Sequence, residues 1–287
     1  MKIGFIGTGV MGTGIINNLL KHGNDVTVYN RTKAHAQAVL DRGAKWAATP
    51  AAATTGNEIV FTMVGFPQDV EDVYYGQDGV LAVAQAGQYL VDMTTSRPSL
   101  AQRIAIDGEK KGAHVVDAPV SGGDVGAKNG TLTVMLGGQR ADVDAIAPVL
   151  EQFSASWHYF GPAGSGQHAK AANQIMIAGT MTGMTEMLVY AKQAGLDLNE
   201  VIKTVGSGAA ANWSLSNYGP RVLKGDYTPG FFAKHFLKDL RIALEEADKM
   251  DLNLPATKEA KHLYEELVDE DGLGSDGTQA LIKLWWK

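Results

Sequence analysis

The stretch GFIGTGVMGTG, residues 4–14, constrains the fold of this chain more than any other feature. It contains a G-x-G-x-x-G pattern that starts at Gly7 and ends at Gly12. The strand-like run KIGFIG precedes the pattern, and a helical run from Met11 to His22 follows it. This is the βαβ context that the pattern needs in order to bind a dinucleotide. The alternative is a tight strand-to-helix turn with no ligand.

Each glycine of the pattern has a physical role in dinucleotide binding. The first glycine permits a tight turn, the second lets a pyrophosphate approach the backbone, and the third lets the helix pack on the strand. The amino terminus of the helix attracts the phosphates. The predicted cofactor-binding residues of this loop are Gly7, Thr8, Gly9, Val10, Met11 and Gly12.

The end of the second predicted strand, DVTVYN, indicates which dinucleotide is bound. An acidic residue there would hydrogen-bond the ribose 2′-hydroxyl of NAD. This chain instead has Asn30, Arg31 and Thr32, followed by Lys33. Because a guanidinium can pair with a 2′-phosphate in a fork geometry, the sequence favours NADP over NAD. The alternative is that Arg31 and Lys33 are solvated charges at the start of a helix.

Strand-like and helical runs alternate through the first half of the chain. The further strand-like runs are EIVFTMV, QYLVDMT, AHVVDAPV and TLTVML. Such alternation predicts βαβ units and a mostly parallel sheet. After about Gly161 only helical patterns follow, and glycine and proline cluster in FGPAGSG, residues 160–166. We therefore predict an α/β Rossmann-type N-terminal domain, residues 1–162, and an all-α C-terminal domain, residues 163–287, led by a long interdomain helix.

Composition and charge exclude several functional classes. The net charge is −6 and no basic block is present, so nucleic-acid binding is not expected. Without cysteine the chain has no disulfides or thiolate metal sites, and no metal site is predicted. A strand that begins at Lys2 leaves no room for a signal peptide, and the apolar run Ile175 to Tyr190 indicates a buried helix rather than a membrane span. We expect a cytoplasmic protein without membrane contact.

Two polar clusters follow predicted strands, at the edge where α/β proteins bind ligands. In VDMTTSRPS, residues 91–99, Thr94, Thr95 or Ser96 could face a nicotinamide or cap the following helix. In DAPVSGGDVGAKNG, residues 117–130, the segment 121–123 exposes successive backbone N–H groups that suit a carboxylate. The alternative for this second cluster is a glycine-rich hairpin connection.

A third cluster, GSGQHAKAANQ at residues 164–174, begins the long predicted helix. Lys170, Asn173 and Gln174 share one helix face because they are three and four residues apart. An amine in a dry cleft can act as a general acid and base. Considered alone, Lys170 would more often be a lysine that reaches out to solvent. His168 points elsewhere and is expected to be a surface or packing residue.

Together these motifs resemble the β-hydroxyacid dehydrogenase family, which includes 3-hydroxyisobutyrate dehydrogenase, tartronate semialdehyde reductase and the glyoxylate/succinic semialdehyde reductases. The resemblance covers essentially the whole chain, with four motifs in the family's order. It implies hydride transfer between NADP(H), or NAD(H), and a small β- or γ-hydroxy acid or its semialdehyde. It also implies a homodimer or homotetramer formed through the helical domain.

The resemblance assigns roles to individual residues. It implies that Lys170 is catalytic and that either Asn173 or Gln174 orients the substrate. The implied substrate-binding residues of the S-G-G motif are Ser121, Gly122 and Gly123. The implied cofactor-binding residues outside the glycine loop are Asn30, Arg31, Thr32, Met63, Val64, Thr95 and Lys238. Arg97 could contact a cofactor phosphate or face solvent.

Two alternative functions remain at this level. The first is reduction of another electrophile, such as an imine. Lys170 argues against it because the imine reductases of the family generally lack this lysine. The second is a non-catalytic nucleotide-binding module, as occurs in relatives that have lost the lysine. The presence of Lys170, Asn173 and the S-G-G motif favours an enzyme.

Overall fold

The computed structural model describes residues 1–286, and the chain divides into two compact units. The first unit is Met1–Lys170 and the second begins at Ala171. The sequence placed the domain boundary between residues 162 and 163. The observed division lies within the long helix, after its first turns.

The first unit is built on one nine-stranded sheet. In chain order its strands, β1 to β9, are Lys2–Ile6, Asp25–Tyr29, Lys45–Trp46, Ile59–Thr62, Tyr89–Asp92, His114–Asp117, Val120–Ser121, Leu132–Gly138 and Ser154–Gly161. The strand order is β3-β2-β1-β4-β5-β6-β8-β7, and β9 pairs with β8. The sheet is parallel except where β8 pairs with β6 and with β7. The predicted Rossmann-type fold, with a mostly parallel sheet, is confirmed.

Thirteen α-helices occur in residues 1–286, eight of them before the long helix. In chain order α1 to α8 are Val10–Lys21, Gln37–Leu40, Pro50–Thr54, Pro67–Tyr75, Val80–Val83, Pro98–Glu109, Gly123–Asn129 and Arg140–Leu150. The others, α9 to α13, are Ser165–Gln193, Leu198–Gly206, Trp213–Leu223, Ala233–Lys249 and Pro255–Glu265. Short 3₁₀ helices cover Lys33–Ala36 and Thr278–Leu284, and a π-helical turn covers Glu266–Glu270. None of the helices described has both the length and the apolar character needed to cross a membrane.

Helices cover both faces of the sheet, as the alternation of side chains along β1 illustrates. Ile3 and Phe5 belong to one buried apolar cluster, and Ile6 belongs to the other. Successive side chains of a strand point to opposite faces, so one apolar strand contributes to both clusters. The near-continuous apolar pattern of KIGFI is typical of a parallel strand that is buried on both faces.

The glycine at position 14, inside α1, allows two helices to approach each other closely. A Cβ at Gly14 would lie 2.8 Å from the carbonyl carbon of Ala127 in α7. The Asn18 side chain donates a hydrogen bond to the Ala127 carbonyl oxygen at 2.8 Å. The sequence alone offered no reason for a second glycine in the first turns of this helix; its packing against α7 supplies one.

Several elements differ from the sequence prediction. The run AHVVDAPV forms two strands, β6 and β7, because Ala118 and Pro119 separate them. Strands β3 and β9 were not predicted; the first has only two residues, and the second has no continuous apolar pattern. Helix α11 contains Gly219 and Pro220, residues that usually mark turns, so the sequence does not predict it as a separate helix. The helical segment that begins near Lys33 is a 3₁₀ turn followed by the short α2.

The second unit is helical, with its own apolar core. Phe236 packs edge-to-face on Tyr264 with ring centroids 4.9 Å apart, and both rings are buried. A second cluster joins Met181, Met184 and Leu188 of α9 to Leu215 of α11. The predicted all-helical region after the Rossmann-type unit is therefore confirmed.

Candidate active site

The glycine loop between β1 and α1 has the geometry of a dinucleotide cradle. Gly7 has a φ of 106°, and a Cβ there would overlap the carbonyl oxygen of Met63. A Cβ at Gly12 would overlap the carbonyl oxygen of Gly7. Gly9 differs from both, since no atom lies within 4 Å of its Cβ position. The loop is therefore compact on the sheet side and open above Gly9, where a pyrophosphate would lie.

The amino terminus of α1 is suited to bind an anion. Its N-cap, Gly9, offers no side-chain hydrogen bond, and the first turn contains no acidic residue. The Thr8 hydroxyl is buried and has no hydrogen-bond partner among the described residues. Uncapped N–H groups and the helix dipole favour negative charge at this position. The residues of the loop thus fit the pyrophosphate of a nicotinamide dinucleotide.

Asn30 holds the segment that follows β2. Its side-chain oxygen accepts a hydrogen bond from the Thr8 backbone N–H at 3.1 Å, and its amide donates to the Thr32 carbonyl at 3.0 Å. Arg31 extends into solvent with its side chain 86% exposed, and its guanidinium lies 3.3 Å from the Asp69 carboxylate of α4. The structure therefore gives Asn30 a positioning role and leaves Arg31 accessible to a ligand.

The loops that follow β4 and β5 are joined by a hydrogen bond. The Val64 backbone N–H donates to the Thr94 hydroxyl at 3.0 Å. Thr94 and Ser96 are buried, whereas Thr95 is half-buried. The N-cap of helix α6 is Arg97, not one of these three residues, and the Arg97 side chain makes no capping hydrogen bond. Of the three candidate hydroxyls, that of Thr95 is the most accessible.

Asp117, the last residue of β6, binds the start of the long helix α9. Its carboxylate accepts hydrogen bonds from the backbone N–H groups of Gly164, at 2.7 Å, and Gln167, at 2.9 Å. Burial raises the pKa of this carboxyl group, and the backbone hydrogen bonds oppose that shift. Gly164 has a φ of 92°, and a Cβ at Gly166 would collide with the Met135 carbonyl oxygen. The two glycines that precede Lys170, at positions 164 and 166, thus allow the helix to begin against the sheet.

The side chain of Gln167 ties the first turn of α9 to the loop after β5. Its amide nitrogen donates to the Thr94 carbonyl at 2.8 Å, and its amide oxygen accepts from the Ser96 N–H at 2.9 Å. Lys170 follows one turn later and is only 7% exposed. It therefore belongs to the same compact unit as the glycine loop, and it is not a lysine that extends into solvent.

The S-G-G motif lies where β7 meets α7. Ser121 ends β7 and is half-buried, and Gly122 precedes the first residue of α7. Gly122 and Gly123 have φ values of 124° and 63°, which favour glycine. The connection between these elements requires both glycines, and Ser121 beside them is only partly buried.

In the second unit, Asn173 and Gln174 have different environments. Gln174 is completely buried, and its amide nitrogen donates to the Asp239 carboxylate at 2.6 Å. The Asn173 amide donates to the Gln174 side-chain oxygen at 2.7 Å and remains half-buried. Lys238 forms an ion pair with Asp239 at 2.9 Å. Gln174 therefore links Asn173 to a buried carboxylate, and Asn173 is the more accessible amide.

Sequence reasoning missed three polar residues of these networks. Asp117, Gln167 and Asp239 were not selected, although the first two lie inside the quoted motifs and the third follows Lys238 directly. Each is a buried polar side chain with hydrogen-bond partners from another part of the chain. A strand-terminal aspartate was a usable signal for Asp117. No local pattern signals the other two.

Family profiles match nearly the whole chain. Residues 2–161 match the NAD binding domain of 6-phosphogluconate dehydrogenase. Residues 164–285 match the profile described as NAD-binding of NADP-dependent 3-hydroxyisobutyrate dehydrogenase. The two profiles meet close to the start of α9.

Individual proteins show the same similarity. The chain is 47% identical over 285 residues to an uncharacterized oxidoreductase, YkwC, of Bacillus subtilis, covering 99% of each chain. It is 46% identical over 282 residues to the probable 3-hydroxyisobutyrate dehydrogenase-like 1 of Arabidopsis thaliana, covering 98% of this chain and 84% of the relative. The solved structure of Mycobacterium tuberculosis 3-hydroxyisobutyrate dehydrogenase with L-serine superposes with a TM-score of 0.89 at 26% identity, covering 99% and 98% of the two chains.

Proposed function

Because the chain belongs to the β-hydroxyacid dehydrogenase family, we propose that it transfers a hydride reversibly between NADP(H) and a small β- or γ-hydroxy acid or its semialdehyde. The substrate class is supported by the names of the relatives and by the S-G-G motif, whose backbone N–H groups and serine hydroxyl suit a carboxylate. When bound, the nicotinamide supplies or accepts the hydride.

The placement of Lys170 is the single observation that carries this proposal. The lysine is 7% exposed and lies one turn beyond Gln167, which is bonded to the loop that follows β5. An amine that is largely shielded from water, at the edge of a parallel sheet where α/β proteins bind ligands, is placed to give a proton to a bound substrate and to take it back.

The chain's own groups then divide the work of the reaction. Lys170 donates a proton to the carbonyl oxygen during reduction and accepts it from the hydroxyl during oxidation. Ser121 and the following glycines hold the substrate carboxylate. We assign substrate orientation to Asn173 rather than to Gln174, because the side-chain amide of Gln174 is already hydrogen-bonded to Asp239 and Asn173. Orientation of this kind can account for a large part of a rate enhancement.

The cofactor-binding groups are the glycine loop, the segment after β2, and the backbone near Met63 and Val64. Thr95 faces the nicotinamide end, and Lys238 also contacts the cofactor. NADP is preferred because Arg31, which is exposed and cationic, occupies the position where an acidic residue would select NAD. Its present partner, Asp69, forms only a surface ion pair, which is weak enough to exchange for a phosphate.

We further propose that the enzyme is a homodimer or homotetramer that associates through its helical unit. An apolar groove of about 590 Å³ follows α9, with Met176, Gly179 and Gly183 among its lining residues. Exposed apolar grooves of this kind mark interaction surfaces. Sedimentation velocity of the wild type and of Gly183→Lys tests this proposal: a smaller species for the variant is expected, and a monomeric wild type would refute it.

The function is tested by NADPH consumption with a panel of aldehyde acids: glyoxylate and the succinic, methylmalonic and tartronate semialdehydes. We expect turnover with at least one of them, and loss of that turnover in Lys170→Ala. NADPH binding, followed by fluorescence, serves as the folding and cofactor control for both proteins. Turnover of cyclic imines but not of these acids would indicate an imine reductase. NADPH binding with no turnover of either class would indicate a non-catalytic nucleotide-binding module.

A further inference from the structure

We propose that Gln167 is a positioning residue that sets the relative placement of Thr95 and Lys170, the groups that the proposed function assigns to the nicotinamide and to proton transfer. The inference rests on that proposed function. The Gln167 side chain itself touches neither substrate nor cofactor in the proposed reaction.

The first observation is that Gln167 binds both neighbours of Thr95. It donates to the carbonyl of Thr94 and accepts from the N–H of Ser96, at 2.8 and 2.9 Å. One planar amide therefore fixes the peptide groups on either side of Thr95. The half-buried Thr95 side chain is held by its flanking backbone.

The second observation is that the backbone of Gln167 is fixed as well. Its N–H donates to the buried carboxylate of Asp117 at the end of β6. The residue is thus bonded through its main chain to one strand end and through its side chain to the loop after the neighbouring strand. This arrangement leaves the first turn of α9 little freedom to shift relative to the sheet.

The third observation concerns distance along the helix. Lys170 is three residues beyond Gln167, which corresponds to a rise of about 4.5 Å along the helix axis. Any shift of that turn moves Lys170 and thereby changes the distance between Lys170 and Thr95. A misplacement of about 1 Å can cost about 100-fold in rate, even when its cause lies outside the reacting groups.

The two hydrogen bonds from the Gln167 side chain to Thr94 and Ser96, here called the clamp, have a specific chemical requirement that can be tested. The clamp needs one donor and one acceptor at the same side-chain end, and because Gln167 is 2% exposed, loss of either bond leaves a buried polar group of the loop unsatisfied. A carboxylate in this position could accept from Ser96 but could not donate to Thr94. A protonated carboxylic acid can do both, because it carries one O–H and one carbonyl oxygen.

The experiment compares Gln167→Ala and Gln167→Glu with wild type across pH 5 to 8, under conditions where all proteins are folded. We expect Gln167→Ala to lower kcat by about 10- to 100-fold at every pH while its NADPH affinity stays within about twofold. For Gln167→Glu, the ratio of kcat to that of wild type should rise as the pH falls. Burial raises the pKa of such a carboxyl group above its ordinary value of about 4.3, so protonation restores the clamp within this range.

Gln88 provides the matched control. It is also a buried glutamine of the first unit, and its amide donates to Thr54 and Asn57 while its oxygen accepts from Gln85. It precedes β5 and therefore lies at the opposite edge of the sheet from Thr94. Gln88→Glu should lower the melting temperature without changing the pH dependence of kcat.

The outcomes separate this inference from the proposed function. If Gln167→Ala retains kcat within about twofold while Lys170→Ala is inactive, the positioning role is refuted and the proposed function stands. The role is also refuted if the activity ratio of Gln167→Glu does not change with pH, or if Gln88→Glu shows the same change. If Lys170→Ala retains full activity, the result refutes the proposed function, and the positioning role of Gln167, which rests on it, is refuted as well.

Discussion

The guanidinium of Arg31 lies 3.3 Å from the carboxylate of Asp69, and the two residues form an ion pair at the surface. The other oxygen of Asp69 accepts a hydrogen bond from the Phe66 N–H, which fixes the carboxylate at the start of α4. Arg31 is the more exposed partner of the pair, with 86% of its side chain accessible to solvent. The cation that is proposed to read the 2′-phosphate is therefore held next to a fixed negative charge.

Arg31→Ala tests the cofactor preference. We expect the KM for NADPH to rise by about 10- to 100-fold, because a hydrogen bond to a charged group contributes about 1.5–3 kcal/mol and each 1.4 kcal/mol is tenfold. The KM for NADH should change little, since NADH has no 2′-phosphate. Steady-state kinetics with both cofactors gives the result. Equal losses with both would show that Arg31 does not distinguish them.

Asp69→Asn should have the opposite effect. It removes the negative charge that competes with the phosphate, while an asparagine oxygen can still accept from Phe66. Exposed ion pairs contribute about 0.2–1 kcal/mol, so the Kd for NADPH should fall by up to about fivefold. The Kd for NADH should be unchanged. Fluorescence titration without substrate measures both constants, and a weaker NADPH complex would mean that Asp69 supports Arg31 rather than competing for it.

Ser121→Ala tests carboxylate binding with little disturbance of the fold. The substrate KM should rise by about fivefold, the value of one hydrogen bond of about 1 kcal/mol. NADPH affinity and melting temperature should remain those of wild type, because Ser121 is only half-buried at the end of β7. Valine at Gly122 would be a poorer test, since the φ of 124° there strains any side chain. A loss of NADPH affinity alone in Ser121→Ala would assign this loop to the cofactor.

Lys170→Ala and Lys170→Arg test proton transfer. General acid–base catalysis contributes about 10²- to 10⁴-fold, so the alanine variant should lose about that factor in kcat while NADPH affinity stays close to wild type. The arginine variant should not recover activity, because a guanidinium stays protonated at working pH and cannot accept the proton of the substrate hydroxyl. Calorimetry provides the folding control. An alanine variant that keeps more than about a tenth of kcat, with chemistry rate-limiting, would exclude this role.

The raised pKa of the buried Asp117 carboxyl group predicts that the stability of the fold depends on pH. Because burial raises its pKa in the folded protein, the folded state holds this proton more tightly than the unfolded chain does. The resulting stabilisation is complete below the unfolded pKa of about 3.9 and is lost as the pH rises through the raised folded pKa. Asp117→Asn does not titrate, so its deficit in free energy of unfolding should shrink as the pH rises from 4 to 7. Urea denaturation at several pH values measures the deficit, and a constant value would contradict the prediction.

Much of the candidate site could be proposed from the sequence because its motifs are local. The glycine pattern, the arginine after β2 and the lysine on the long helix each occupy a few consecutive residues, and each is recognised by its spacing and by the element beside it. Gly9 is open and Gly7 is in a glycine-specific conformation, as that pattern requires. Local periodicity likewise identified most strands and the long helix.

The tertiary structure decided which partners these residues have. Asp69 stands 38 positions after Arg31, and Gln167 stands 71 positions after Ser96, so no local pattern connects them. The packing of α7 explains Gly14, and the carboxylate of Asp239 separates the roles of Gln174 and Asn173. Periodicity in a sequence specifies which face of an element is apolar. The identity of a hydrogen-bond partner depends on which strand ends and helix turns come together, and only the folded chain sets that.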